Sequence, residues 1–109
     1  MAHETSIPVI DPYGSVFRLL RTLGLPFGMW RVDDAAEAAN APFAILGVYG
    51  KLDPAAIAAV ARRVPTVLYS VMARPSYDDA IALGAIDVVS DRMEPTAARA
   101  VILHALQGR

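Results

Sequence analysis

The stretch Pro42-Phe43-Ala44-Ile45-Leu46-Gly47-Val48-Tyr49-Gly50 limits what this chain can fold into more than any other. A short apolar run bounded by Pro and Gly suits a strand buried on both faces, as in the middle of a parallel sheet. Helical patterns flank it on both sides, so it sits inside a βαβ series. In open α/β sheets, ligands and chemistry gather at the carboxyl ends of the strands. Here that end reads Gly47-Val48-Tyr49-Gly50, with no carboxylate, no nucleophile and no phosphate-binding loop. The functional reading turns on that absence.

The rest of the chain alternates in the same way. Ile7-Pro8-Val9-Ile10 reads as a first strand, with Pro8 early, where a missing N–H is tolerated. Asp11-Pro12-Tyr13-Gly14 is the turn after it. Ser15 is placed to cap a helix through Leu23, with Val16, Leu19, Leu20 and Leu23 as its apolar stripe and Gly24 beyond its end. Phe27 to Val32 reads as a second strand. Asp33 or Asp34 then caps a short Ala-rich helix from Ala35 to Asn40. After the buried strand Phe43 to Val48, Asp53-Pro54 is a cap followed by a first-turn proline, and Ile57, Val60, Ala61 and Val64 face inward. Pro65 to Met72 is a fourth strand. Ser76-Tyr77-Asp78-Asp79 is a capping-box variant opening a helix that ends at Gly84. Ile86 to Val89 is a fifth strand. A last helix from Pro95 to Leu106 turns Ala98, Val101, Ile102, Ala105 and Leu106 toward the sheet. This (βα)5 pattern predicts a three-layer sandwich around a parallel five-stranded sheet, with right-handed crossovers.

Composition narrows the function. A chain of 109 residues is read as one domain, residues 1–109. Its 55% apolar content is enough for a real core and for an apolar helix face turned to a partner. The net charge is −1 and the charges are mixed along the chain. No basic stripe offers counterion release on a phosphate backbone, so direct nucleic-acid contact by this segment is not expected. The absence of cysteine excludes disulfides, thiolate chemistry and Cys-type zinc sites. The first residues lack the basic-then-apolar order of a signal peptide. No uncharged run approaches the roughly 18 residues of a membrane span. We therefore expect a cytoplasmic protein.

Several segments together resemble the receiver domain of bacterial response regulators, across nearly the whole length. Val9-Ile10-Asp11, followed by an Arg-containing apolar helix, is similar to that family's first strand and helix. Trp30-Arg31-Val32-Asp33-Asp34-Ala35-Ala36-Glu37-Ala38 resembles the end of its second strand and the helix after it. Pro65-Thr66-Val67-Leu68-Tyr69-Ser70 resembles its fourth strand, which ends in Ser or Thr. Ala80-Ile81-Ala82-Leu83-Gly84-Ala85-Ile86-Asp87-Val88-Val89 is similar to the A-x-x-x-G-A-x-D segment entering its fifth strand. The resemblance implies a flavodoxin-like fold with strand order 2-1-3-4-5. It also implies a cytoplasmic regulatory module in two-component signalling or transcription control.

The family's working residues carry over poorly. Of its acidic pair after the first strand only Asp11 is present, followed by Pro12 and Tyr13. The position of the phospho-accepting Asp falls on Gly47 or Val48. Ser70 matches the Ser/Thr after the fourth strand. Ser90-Asp91-Arg92-Met93 stands where the family has a Lys before a Pro, and the aromatic switch position falls on Val88 or Val89. The loop after the third strand reads as shortened. Phosphoryl transfer to a carboxylate needs that carboxylate, with Mg²⁺ held by further acids. The expectation is therefore a degenerate, phosphorylation-independent pseudo-receiver with Asp11 and Ser70 as remnants, no cofactor and no metal.

Each candidate residue also has a structural reading. Asp11 can be a turn residue before Pro12, and Ser70 can satisfy a backbone group at a strand end. Asp53, proposable as a displaced acceptor, reads better as a helix cap. The carboxyl edge would gather Asp11, Tyr13, Asp33, Lys51, Asp53, Arg74, Asp91 and Arg92, either as a ligand edge for a small-molecule or metal sensor or as ordinary polar loops. His3 and His104 lack partners suited to a metal site. Gly47, Gly50 and Lys51 do not have P-loop spacing. With acid–base pairs lacking, an enzyme is not expected. By the resemblance, dimerisation or effector docking would use the segment from Tyr77 to Leu106, through Tyr77, Ile81, Val88, Met93, Arg99 and Leu103. The partner would be a second copy or an effector domain, which can lie beyond Arg109.

Overall fold

Five strands lie side by side, all parallel, in the order β2-β1-β3-β4-β5. They are β1 (Ser6–Ile10), β2 (Gly28–Val32), β3 (Ala44–Tyr49), β4 (Thr66–Val71) and β5 (Asp87–Ser90). The returning segments are α1 (Ser15–Arg21), a 3-10 turn (Ala35–Ala38), α2 (Pro54–Ala61), α3 (Tyr77–Ala82) and α4 (Pro95–Gln107). This computed structural model describes residues 6–38, 40–50, 53–72 and 77–107. The element order and the 2-1-3-4-5 sheet are those of the flavodoxin-like receiver fold that the sequence implied.

Strand periodicity divides the apolar residues into two cores. Ile7, Val9, Ile45, Val67, Tyr69, Val71 and Val89 pack on one side with Val16, Leu20 and Leu23 from α1 and its end, and with Ala98 and Ile102 from α4. Ile10, Val32, Ala44, Leu46, Val48 and Leu68 pack on the other with Ala38, Ile57, Val60, Val64, Ala80 and Ala85. The result is three layers, because successive side chains along a strand point to opposite faces. Burial of each large apolar side chain contributes about 1.5–3 kcal/mol. β4 is buried along its whole length, as a strand flanked by β3 and β5 and covered on both faces must be.

The local reading needs four corrections. Asn40 is not the end of a helix: the Ala-rich segment is one 3-10 turn, Ala35–Ala38. Its start is a reciprocal cap. The Asp34 carboxylate accepts from the N–H of Ala36 at 2.9 Å and of Glu37 at 3.4 Å, and Glu37 Oε2 accepts from the N–H of Asp33 at 3.0 Å. Pro42 lies too close for a longer helix, since the residue before a proline is driven to extended backbone. Next, Ser15 does not cap α1. Gly14 is the N-cap residue, at φ 83°, with no side-chain hydrogen bond of its own. α1 also ends at Arg21, and Leu19 is 37% exposed rather than part of the buried stripe. Finally, β3 begins at Ala44 and runs on to Tyr49. Asp53 does cap α2, accepting from the N–H of Ala56 at 3.2 Å ahead of Pro54. Ser76, the proposed cap of α3, lies outside the described residues.

Candidate functional site

The carboxyl ends of β1 and β3 converge on Asp11. The register pairs Val9 with Ile45 and Ile10 with Leu46, and its continuation brings Asp11 beside Gly47. By the alternation of strand side chains, Asp11, Gly47 and Tyr49 share the face covered by α1. Asp11 is fully buried. Burying a carboxylate is costly unless hydrogen bonds replace its water, and both of its oxygens are engaged. Oδ2 accepts from the N–H of Phe17 at 2.9 Å, and Oδ1 accepts from the Tyr49 hydroxyl. The same hydroxyl accepts from the N–H of Val16 at 3.1 Å. Asp11 and Tyr49 thus satisfy the first-turn amides of α1 that Ser15 was expected to serve. The partnership with the helix N-terminus is electrostatically favourable for an anion.

The main chain of Asp11 is held as well. Its N–H donates to the Val32 carbonyl at 2.9 Å. Its carbonyl accepts from Arg31 Nη1 at 2.9 Å, and the same Nη1 lies 2.6 Å from Asp33 Oδ1. Asp33 therefore serves as the partner of Arg31. Tyr49 is the residue that sequence reasoning passed over, although two-residue periodicity from Ile45 and Gly47 places it on the side of Asp11. Burial pushes the Tyr49 hydroxyl above its ordinary range, and the hydrogen bond to Asp11 adds to the rise.

Neither Gly47 nor Val48 supplies a carboxylate at the end of β3. A Cβ on Gly47 would stand 3.1 Å from Val16 Cγ2 and 3.4 Å from the Ile10 carbonyl. Val48 is buried in the opposite core. Ser70 is fully buried, in register with Val48 of β3 and Ser90 of β5, and its carbonyl accepts from the N–H of Asp91 at 3.0 Å. Asp91 and Arg92 are exposed in the turn after β5, where Ser90 Oγ accepts from the N–H of Arg92 at 3.0 Å. Burial raises the Tyr69 hydroxyl above its ordinary range, with the negative charge of Asp91 as a second cause.

Tyr13 is 71% exposed, and its ring stands edge-on to Tyr49 with centroids 4.7 Å apart. A cleft of about 340 Å³ opens beside this pair, over the main chain of Leu46 to Tyr49 and bounded by Asp53 and Ile57. Lys51 and Arg74 lie outside the described residues. Among the described residues, no three of His, Cys, Asp and Glu are placed to hold a metal ion.

The docking residues divide between two surfaces. Tyr77 is 56% exposed on α3, and Ile81, half-buried, follows one turn later on the same helix. Val88 packs partly into the α2–α3 core, and Met93 partly into the α1–α4 core. Arg99 turns away: its Nε donates to the Gly24 carbonyl at 3.4 Å, across the gap to α1. Leu103, half-buried, lies on the same flank of α4 one turn later.

Neither a protein-family model nor a curated protein sequence matches the chain. Solved structures do. A pilus-assembly-related protein of Burkholderia pseudomallei superposes with a TM-score of 0.70 at 19% identity, over 98% of this chain and 94% of that one. The signal receiver domain of an HD-domain protein from Pseudomonas fluorescens Pf-5 gives 0.70 at 16% identity, over 97% of both chains. A response regulator from Thermotoga maritima gives 0.70 at 12%, over 96% of this chain and 99% of that one. At these identities the likeness establishes the fold, which is that of response-regulator receiver domains. No helix among the described residues is long and apolar enough to cross a membrane.

Proposed function

We propose that this chain is a phosphorylation-independent pseudo-receiver, a regulatory module of bacterial signalling or transcription control that works through protein contacts. One observation carries the reading: Gly47 and Val48 stand at the end of β3, and neither supplies an acceptor carboxylate. Gly47 faces Val16, Val48 is buried, and Asp11 is committed to α1 and Tyr49. A site without an acceptor carboxylate and without a second free acid has nothing with which to run Mg²⁺-assisted phosphoryl transfer. The module is then non-catalytic. Its exposed surface on α3 and β5, including Tyr77 and Ile81, supports dimerisation or docking of an effector domain.

The test is an amide NMR spectrum recorded with and without Mg²⁺ and beryllofluoride, a mimic of the acyl phosphate. Unchanged resonances are expected. Shifts at Asp11, Asp53 and Ser70 that spread to α4 would mean a working acceptor and would overturn the proposal. Sedimentation at micromolar concentration tests the interaction role, and replacement of Tyr77 by Asp should weaken any dimer or effector complex.

The cleft beside Tyr13 and Tyr49 favours a second reading, a sensor for a small molecule at the carboxyl edge. A ligand at one hundred times its Kd would add about 2.7 kcal/mol of stability. A thermal-shift screen with nucleotides, Mg²⁺ and Ca²⁺ that stays flat would count against it.

A further inference from the structure

A second depression lies at the other end of α1. It holds about 380 Å³ between the helix and the edge strand β2, lined by Phe17, Leu20, Leu25, Phe27 and Met29, with Arg21 and Gly24 at its rim. Among the described residues, the charged side chains of the two helices beside it are arginines. Neither α1 nor α4 contains an acidic residue. Arg18 is one turn before Arg21 on α1, and Arg99 reaches across from α4 to the Gly24 carbonyl. The Arg21 guanidinium stands 5.9 Å from the centre of the Phe17 ring, leaving its charge at the groove mouth. Arg18, Arg21 and Arg99 have no carboxylate partner among the described residues.

We infer that this groove docks a short acidic segment of a partner protein, with one or two bulky apolar side chains seated in the depression. Each feature selects part of that chemistry. The volume and lining suit a Leu or Phe anchor, which carries most of the affinity in such contacts. The unpaired arginines select carboxylates around the anchor and speed the encounter. A small anion is a poor fit, because it would leave the side chains of Phe17, Leu25, Phe27 and Met29 in the depression without a partner. A nucleic acid is a poor fit, because three arginines do not make the basic stripe that its backbone needs. A second copy of this chain is the competing occupant, since its exposed acids include Glu37 and Asp78 on the opposite layer and Glu94 just before α4, and self-association is therefore one outcome of the test.

The inference rests on the reading of the chain as an interaction module, but it concerns a different surface from that around Tyr77. Either can fail alone. The probe is a fluorescein-labelled peptide of about twelve residues, Asp and Glu with one Leu and one Phe, titrated into the full chain and followed by anisotropy and by amide NMR. Saturable binding is expected, with shifts confined to Arg18–Met29 and Arg99. It should weaken about tenfold in 0.5 M NaCl, and about tenfold or more when the peptide's Leu and Phe become Ser. Arg21→Glu should weaken it by a similar factor and Arg21→Lys much less, with circular dichroism confirming that both variants are folded. Failure to saturate by about 1 mM, equal binding of the Ser peptide, equal competition by a DNA duplex, or shifts mapping to the Tyr77 surface would each overturn the assignment. So would a self-association that Arg21→Glu abolishes in the absence of peptide.

Discussion

The two faces of the sheet differ in how they are covered and in the charge they show. One carries α1 and α4, whose ionisable residues are Arg18, Arg21, Arg99 and His104, with the buried Asp11 at the start of α1 and Glu94 just before α4. The other carries the 3-10 turn, α2 and α3, with Asp34, Glu37, Asp53, Asp78 and Asp79 in or capping these elements, and with Arg62 and Arg63 following α2. Along the sequence these charges alternate and nearly cancel. Folding sorts them, because the first and last helices return on one face and the three segments between them on the other. Net charge therefore describes neither face, and a recognition surface can form on a chain that reads as neutral.

The largest expected effects ask whether the two faces form one cooperative unit. Ile102 and Ile57 fill opposite cores and are 0% and 1% exposed. Ile102→Ala and Ile57→Ala should each cost about 2–5 kcal/mol in urea unfolding. A single transition with one slope in both variants would mean that the sheet couples the layers. A second transition in either would mean that they melt apart.

Asp11 belongs to the α1–α4 face and holds its helix to the sheet, so its loss should be felt on that face first. Asp11→Ala leaves the Phe17 N–H and the Tyr49 hydroxyl without their acceptor, at a cost of about 2–3 kcal/mol. Asp11→Asn should lose less. Hydrogen exchange should show α1 opening well before α2. Equal protection of the two helices in Asp11→Ala would contradict the role given to this carboxylate.

Gly47→Ala should cost about 1–3 kcal/mol, because the new methyl must displace Val16. A neutral result by thermal melting would show that a side chain fits at the end of β3 after all, and would reopen the search for an acceptor there.

The smallest effect is alkaline. The hydroxyls of Tyr49 and Tyr69 titrate above their ordinary range in the folded chain. Between the unfolded and the folded value the unfolded chain binds fewer protons, so stability must fall as pH rises. The contribution is fully present below about pH 10 and is lost above it. Tyr49→Phe should flatten that decline, and an unchanged slope would separate Tyr49 from the shift.

Five strands, four of the helices between and after them, the parallel sheet and the cap at Asp53 could be read from residue order, because they follow from two-residue and 3.6-residue periodicity and from local capping chemistry. The presence of Gly47 and Val48 at the end of β3 was equally legible, since it is a matter of residue order. Local signals misled where a distant partner intervened. Ser15 has the right chemistry for a cap, but Asp11 and Tyr49, brought together by the β1–β3 register, reach the same amides. The reach of Arg99 from α4 to the Gly24 carbonyl beyond α1 likewise joins residues far apart in the chain. The Tyr49–Asp11 contact, the filled space at Gly47 and the basic rim around an apolar groove all join residues far apart in the chain. Only the tertiary structure decided them, because periodicity assigns a side chain to a face but not to the neighbour it meets there.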